Sequence, residues 1–242
     1  MSRLHREMMR LLIAEIVSGR RVADEMLPRE VDLAAEFGVS RGVARECIRA
    51  MEERGLVSVR HGRGATVSAP EHWDVIDPDV LAAVLDGEGG NALLAEYLEC
   101  RRLIEVEAAG LAAERATPEA LEPAGEALAR MEESAAASGP AAEQRFHEAD
   151  VSFHQALIRA AGNRPLADVA ERIHAGLVVA RFPLARPQYR EERALPEHRR
   201  ILDAVASGDA VEARRAMSDH LDTIAGYLKE RAGTAGRRRA PA

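Results

Sequence analysis

Residues 27–67 read LPREVDLAAEFGVSRGVARECIRAMEERGLVSVRHGRGATV, and their succession of helix, tight turn, helix and hairpin decides how the first part of the chain folds. Pro28 opens a short amphipathic helix whose apolar positions are Val31, Leu33, Ala34 and Phe37. Gly38 suits the turn that ends it. Ser40 is a natural N-cap for a second helix, Arg41 to about Arg54, with Val43, Ala44, Cys47, Ile48 and Met51 on its apolar side. Gly55 stops that helix. Two β-prone runs follow, 56–60 and 65–68, joined by His61-Gly62-Arg63-Gly64, a hairpin turn with positive charge at its tip. This order is that of a winged helix-turn-helix.

Its chemistry suits duplex DNA. A recognition helix enters the major groove with its N-terminal residues at the base edges. Those residues here are Ser40, Arg41 and Arg45, with Arg49 one turn further on. The three arginines are spaced i, i+4, i+8 and share one face, opposite Cys47 and Met51. Guanidinium forks match guanine O6/N7 or a phosphate, and Arg63 adds charge at the wing.

The remaining 175 residues beyond 67 set the other bounds. A chain of 242 residues holds two domains with proper cores. No run approaches the ~20 apolar residues of a membrane span, and the N-terminus MSRLHREMMRLL lacks the apolar core of a signal peptide, so a cytoplasmic protein is expected. Cys47 and Cys100 lie on apolar sides of separate helices, where small core residues belong. The net charge of −7 is unevenly spread. Residues 1–70 carry 12 basic and 10 acidic side chains, and the rest carries 21 and 30. An acidic body on a mildly basic head points to a localised DNA-binding face.

The pattern divides the chain into a DNA-binding domain (1–68), a linker (69–78), an all-α effector-binding and dimerisation domain (79–231) and a disordered tail (232–242). The fold class is mainly α with one small hairpin. Residues 3–19 form a first amphipathic helix packing on the winged domain. In the linker APEHWDVIDP, Trp73 is expected to plug the seam between domains. Beyond it, Gly and Pro punctuation yields seven helices, 79–86, 91–116, 118–137, 141–161, 164–181, 195–207 and 209–231. Pro123 is expected to bend the third of them or delay its start.

Polar residues interrupt the apolar stripes of these helices. Phe146, Asp150, Phe153 and Leu157 follow i, i+4, i+7, i+11, so Asp150 points into the seam with His154 one turn on. His198 begins the stripe Ile201, Leu202, Val205, and His220 borders Met217, Leu221 and Ile224. Arg101 lies mid-stripe between Tyr97 and Ile104, with Glu105 at i+4. Each alone has a plain reading: a hydrogen-bonded core histidine, or a buried Arg101–Glu105 salt bridge. One Asp and three His aimed inward from three helices are also the donor types of a divalent metal site. His147, some 60° from Asp150 on the edge of its stripe, and His174, which fits no pair, rank behind them.

The N-terminal segment resembles the GntR family of bacterial repressors. The marks are Leu27-Pro28-Arg29-Glu30, Leu33-Ala34, Val39-Ser40-Arg41, Ala44-Arg45, Gly55-Leu56-Val57, Gly62 with Gly64, and Val67. It departs at Arg29, at Ala44 and at Gly42, the last costing up to about 1 kcal/mol of helix propensity. The resemblance implies DNA contacts at Ser40, Arg41, Arg45, His61 and Gly62. The C-terminal part is similar to the FCD ligand-binding domain of the FadR branch. It carries Glu99-x-Arg101-x-x-x-Glu105, Leu111-Ala112-Ala113-Glu114-Arg115-Ala116-Thr117, Asp150-x-x-x-His154, Asn163, His198, and His220-Leu221. That likeness implies metal ligation by Asp150, His154, His198 and His220, with Arg101 holding an effector carboxylate. The stretch 73–81 is similar to members that answer sugar acids.

The function expected is therefore a homodimeric regulator, in all a repressor, of a carboxylate or sugar-acid operon. It binds double-stranded operator DNA and is released by a small carboxylate (sugar acid, hydroxy acid or dicarboxylate) at a divalent metal, Zn before Ni or Mn. No catalytic residue is assigned. The rivals are a metal-dependent hydrolase with a DNA-binding appendage, for which Glu105 is the one available base, and a pure metal sensor.

Overall fold

The computed structural model describes residues 3–60, 62–87, 90–179 and 190–239, with the side chains of 176–179, 190–191 and 227–239 outside the description. The chain forms two compact units, residues 1–90 and 91–242.

In the first unit, α1 (Arg3–Val17) turns Met8, Met9, Leu12, Ile13 and Ile16 inward. Helix α2 (Glu30–Glu36) begins two residues after Pro28, with Arg29 as its N-cap. Its buried side is narrower than expected. Leu33 and Ala34 are buried and Phe37 packs against the core, but Val31 is 52% exposed. At 100° per residue, positions 31 and 33 lie about 200° apart and cannot share a face. Helix α3 (Arg41–Glu53) is capped by Ser40, whose side chain accepts from the Val43 amide at 3.3 Å. Leu33, Ala44, Cys47, Met51 and Leu56 meet in one core. Gly55 takes φ +70, and a Cβ there would lie 1.9 Å from the His72 carbonyl oxygen. Only glycine closes that corner.

Strands β1 (Val57–Arg60) and β2 (Gly64–Val67) pair antiparallel with Arg60 opposite Gly64 at the wing end. Gly62 takes φ +75, and the Arg63 amide donates to the Arg60 carbonyl at 2.9 Å. Met26 bridges to Thr66 and the Leu27 amide donates to Ala65, so the segment before α2 flanks the hairpin.

The boundary between the units lies later than the sequence reading puts it. Trp73 packs on the first unit's core, and its indole N–H donates to the Ser68 carbonyl at 3.2 Å. It therefore belongs to that unit's own packing and not, as expected, to a seam. Arg54 ion-pairs with Asp77 at 3.0 Å, and Asp77 caps α4 (Pro78–Asp86). Val80 and Leu81 of α4 are fully buried, Val80 within the winged core. Two prolines and mixed charge look like a linker, but these contacts fix 69–86 to the first unit.

Among the described residues the second unit is helical: α5 (Gly90–Arg115), α6 (Pro118–Ala135), α7 (Pro140–Ala160), α8 (Arg164–Val179), α9 (Leu195–Ala206) and α10 (Ala210–Arg239). Each lies within a few residues of the periodic pattern. Pro123 does not delay α6, which starts at Pro118 behind a Thr117 cap and carries Pro123 in its interior. A π-helical turn, Arg190–Ala194, leads into α9. The stretch 180–189 lies outside the described residues. Helix α10 continues to Arg239 where a tail from 232 was expected, its Ala- and Arg-rich sequence being compatible with helix; residues 240–242 lie outside the description. The core is built on Phe153, Leu157, Ile158, Met131 and Ile201, all less than 3% exposed. Helix α7 packs along α6 and α8, and α9 joins α6 to α10. Both cysteines are free thiols, Cys47 buried with its pKa pushed up to about 11 by burial.

Candidate DNA interface and metal centre

On the first unit, α3 presents Arg41, Arg45 and Arg49 to solvent, with side chains 76%, 57% and 65% exposed. Each is held only loosely. Arg41 Nε donates to Glu30 at 3.1 Å, and Glu46 stands between Arg45 at 3.9 Å and Arg49 at 3.5 Å. The Ser40 hydroxyl already serves as the helix cap, which leaves its free lone pair and proton for a further contact. Arg41 and Arg63 line a common groove of about 520 Å³ between α2, α3 and the hairpin, together with Arg29, Val31 and Val59. The structure therefore brings the recognition helix and wing to one basic face. Gly62 and Arg63 are exposed at the wing tip. His61, expected as a DNA contact, lies outside the described residues.

In the second unit the four inward residues converge. One ligand atom from each of Asp150, His154, His198 and His220 lies within 4.8 Å of every other. His154, His198 and His220 are at most 1% exposed, and Asp150 8%. His198 Nε2 stands 3.0 Å from Asp150 Oδ1 and 3.3 Å from His154 Nε2. The opposite nitrogens are engaged elsewhere. His198 Nδ1 donates to the Ala194 carbonyl at 2.6 Å. His220 Nδ1 donates to Glu197 at 2.9 Å, and Thr223 holds that carboxylate from its other oxygen at 3.1 Å. His154 Nδ1 lies 2.7 Å from Glu105 Oε2.

Hydrogen bonds at Nδ1 set the tautomers of His198 and His220, and His154 Nδ1 faces the Glu105 carboxylate. With each Nδ1 facing an acceptor, each Nε2 carries a lone pair, and those lone pairs point at one another and at a carboxylate. His220 Nε2 is buried and lacks any hydrogen-bond partner among the described residues. Burial first, then the neighbouring His198 and His154, hold His220 well below its ordinary value, so it stays neutral. Burial likewise lowers His154. For Asp150, burial pushes upward, but its close contacts with His198, His154 and His220 outweigh it, and the carboxyl is held well below its usual range. Neutral imidazoles with converging lone pairs beside an ionised carboxylate are the donor set for a divalent cation. The residues fit the ion.

Behind this set lies an acid that ties three helices together. Glu105, 1% exposed, takes Arg101 Nε at 2.6 Å and Nη2 at 3.3 Å, His154 at 2.7 Å and His174 Nε2 at 2.8 Å. Burial pushes its pKa up, but Arg101, His154 and His174 outweigh this and hold it well below the ordinary value. Of the two readings of Arg101, the structure contains the buried ion pair. Both oxygens of Glu105 are occupied, so it is not placed as the base that a hydrolase reading needs. His174, which fitted no pair in the sequence, is the third arm of this hub. Glu197 was missed altogether. It adjoins His198 in sequence yet holds His220, and a pairing across two helices leaves no mark in a single helix's periodicity.

Comparison with known proteins agrees with both halves. Residues 4–67 match the gntR family of bacterial regulatory proteins, and residues 96–223 match the FCD domain. The galactonate operon transcriptional repressor of Escherichia coli K12 is 30% identical over 220 residues, covering 89% of this chain and 93% of that protein. The HTH-type transcriptional regulator LutR of Bacillus subtilis is 32% identical over 207 residues, covering 82% and 90%. Among solved structures, that of Lar, titled as controlling the Listeria monocytogenes agr system, superposes with a TM-score of 0.67 at 21% identity, covering 95% of this chain and 98% of the other. That last likeness concerns the fold alone. No described helix is long and apolar enough to cross a membrane. With a winged helix-turn-helix head and an FCD bundle, the chain belongs to the gntR family of bacterial transcription regulators, in its FCD-bearing branch.

Proposed function

We propose that this protein is a cytoplasmic, homodimeric repressor that leaves its operator when a small hydroxy-carboxylate binds at a metal in the C-terminal bundle. The observation that carries the reading is the convergence of Asp150 with three imidazole Nε2 atoms whose Nδ1 partners are already set. A divalent ion there, Zn²⁺ foremost with Ni²⁺ and Mn²⁺ also compatible, supplies a Lewis-acidic anchor for carboxylate and hydroxyl oxygens. The protein's own residues do the rest. Asp150, His154, His198 and His220 hold the anchor, while Glu105 and Glu197 fix two of the rings. Arg101 keeps Glu105 ionised and adds its positive charge beside Asp150, favouring an anionic effector. On the head, Arg41, Arg45 and Arg49 read the major groove, and His61, Gly62 and Arg63 follow the backbone. One relative is named as the transcriptional repressor of a galactonate operon, and a polyol acid suits a metal-anchored oxygen donor site.

The test uses the intact protein. DNA fragments are selected from genomic DNA by the metal-loaded protein, and release is then measured on adding D-galactonate, L-lactate or a dicarboxylate. Release by one of these acids in the metal-loaded protein, absent in His198→Ala and His220→Ala, is expected. Full metal occupancy in both variants overturns the site, and release on adding metal alone makes the protein a metal sensor instead.

A further inference from the structure

His147 sits on α7 at three residues before Asp150 and seven before His154. At 100° and 1.5 Å per residue it shares the face of His154 to within about 20° and stands about 4.5 Å along the axis from Asp150. It is outside the four-residue donor set. Its residue is partly buried, yet its Nε2 is enclosed and has no hydrogen-bond partner among the described residues. A buried imidazole nitrogen without a partner has lost its water and gained nothing in exchange. The charges of Asp150 and Arg101 both reach this ring, and burial keeps it neutral. A neutral ring with an unpaired buried nitrogen, one helical turn from Asp150 of the donor set, is a hydrogen-bonding group waiting for an oxygen.

We propose that His147 is an effector-contacting residue that selects polyhydroxy acids over short monohydroxy acids. The inference rests on the metal-anchored effector reading above. An acid anchored through its carboxylate and α-hydroxyl at the level of Asp150 reaches His147 only if its chain carries further hydroxyl-bearing carbons along α7. L-lactate, with no oxygen beyond the chelating pair, ends short of the ring. D-galactonate has hydroxyls to spare. The ring, neutral, can donate to or accept from such a hydroxyl, whereas a carboxylate at the same place offers only acceptors.

The experiment is calorimetric titration of D-galactonate and of L-lactate into metal-loaded wild type, His147→Phe and His147→Gln, with metal content measured on each sample. In His147→Phe, D-galactonate binding is expected to weaken by about tenfold or more, the scale of one lost hydrogen bond. L-lactate binding and metal content should stay within about twofold by the same scale. His147→Gln, which keeps a donor and an acceptor, should recover most of the galactonate affinity. Equal weakening of both acids, or loss of metal in His147→Phe, would make His147 a support of the metal site and overturn the inference. Unchanged galactonate affinity would overturn it too. If neither acid binds wild type, the effector reading falls and the inference with it, a result distinct from the other two.

Discussion

The two units handle charge in opposite ways. On α3 the arginines are exposed and lightly tethered to Glu30 and Glu46. In the bundle, Arg101, Glu105, Asp150 and three histidines are buried, and each is held by a specific partner. Exposed ion pairs contribute about 0–1 kcal/mol, so the arginines exchange a carboxylate for a phosphate or a guanine edge at little cost. A buried pair that loses one member costs several times as much. The head is therefore built to swap partners with a large polyanion. The bundle is built to accept only a ligand that completes its existing network. A regulator needs both, because the DNA contact must be reversible and the effector contact selective.

The largest expected effect tests the buried side. Arg101→Met removes the forked donor from Glu105 while keeping much of the side chain's volume. The bundle should lose about 3–5 kcal/mol, read as a lower melting temperature of the second unit, while the first unit melts as before. An unchanged melting temperature would break the contrast, since Arg101 would then be as dispensable to the fold as an α3 arginine.

On the exposed side, Arg45→Ala should weaken operator binding by about 1–3 kcal/mol, one major-groove fork, with no change in melting temperature or metal content. Operator affinity should also fall steeply as salt rises, because phosphate contacts release counterions. Metal retention, governed by buried donors, should barely respond to salt. Similar salt dependence in both would show that the bundle site is more open to solvent than its burial indicates. An unchanged footprint in Arg45→Ala would move the recognition surface away from α3.

The sequence made the elements legible because glycine, proline and the 3.6-residue period mark helix ends and faces. It also pointed to Asp150, His154, His198 and His220, since each interrupts an apolar stripe where a polar residue needs a partner. What stayed hidden depends on packing between helices. Glu197 with His220 and Glu105 with His174 are separated by 23 and 69 residues, and no local spacing announces them. The domain boundary failed for a related reason. Residues 69–78 have a linker's composition, and only the contacts of Trp73, of Arg54 with Asp77, and of Val80 tie them to the head. Val31 looked apolar and therefore buried, yet its angle around α2 sends it to the surface beside Arg41.

The smallest expected effect is the sharpest test of the exposed side. Gly42 stands second in α3, in ordinary helical conformation, and a Cβ there would meet only Ser40 Oγ, at 3.8 Å. Nothing in the free protein demands glycine, and its presence costs up to about 1 kcal/mol of helix propensity relative to alanine. Gly42→Ala should therefore raise the melting temperature of the first unit slightly. If α3 lies close against the groove, the added methyl group should at the same time weaken operator binding or shift base preference next to Arg41. Higher stability with lower affinity would show that the recognition face gives up stability for close approach. Higher stability with unchanged affinity and sequence preference would place Gly42 off the contact surface, and with it the side of α3 that carries Glu46 and Arg49.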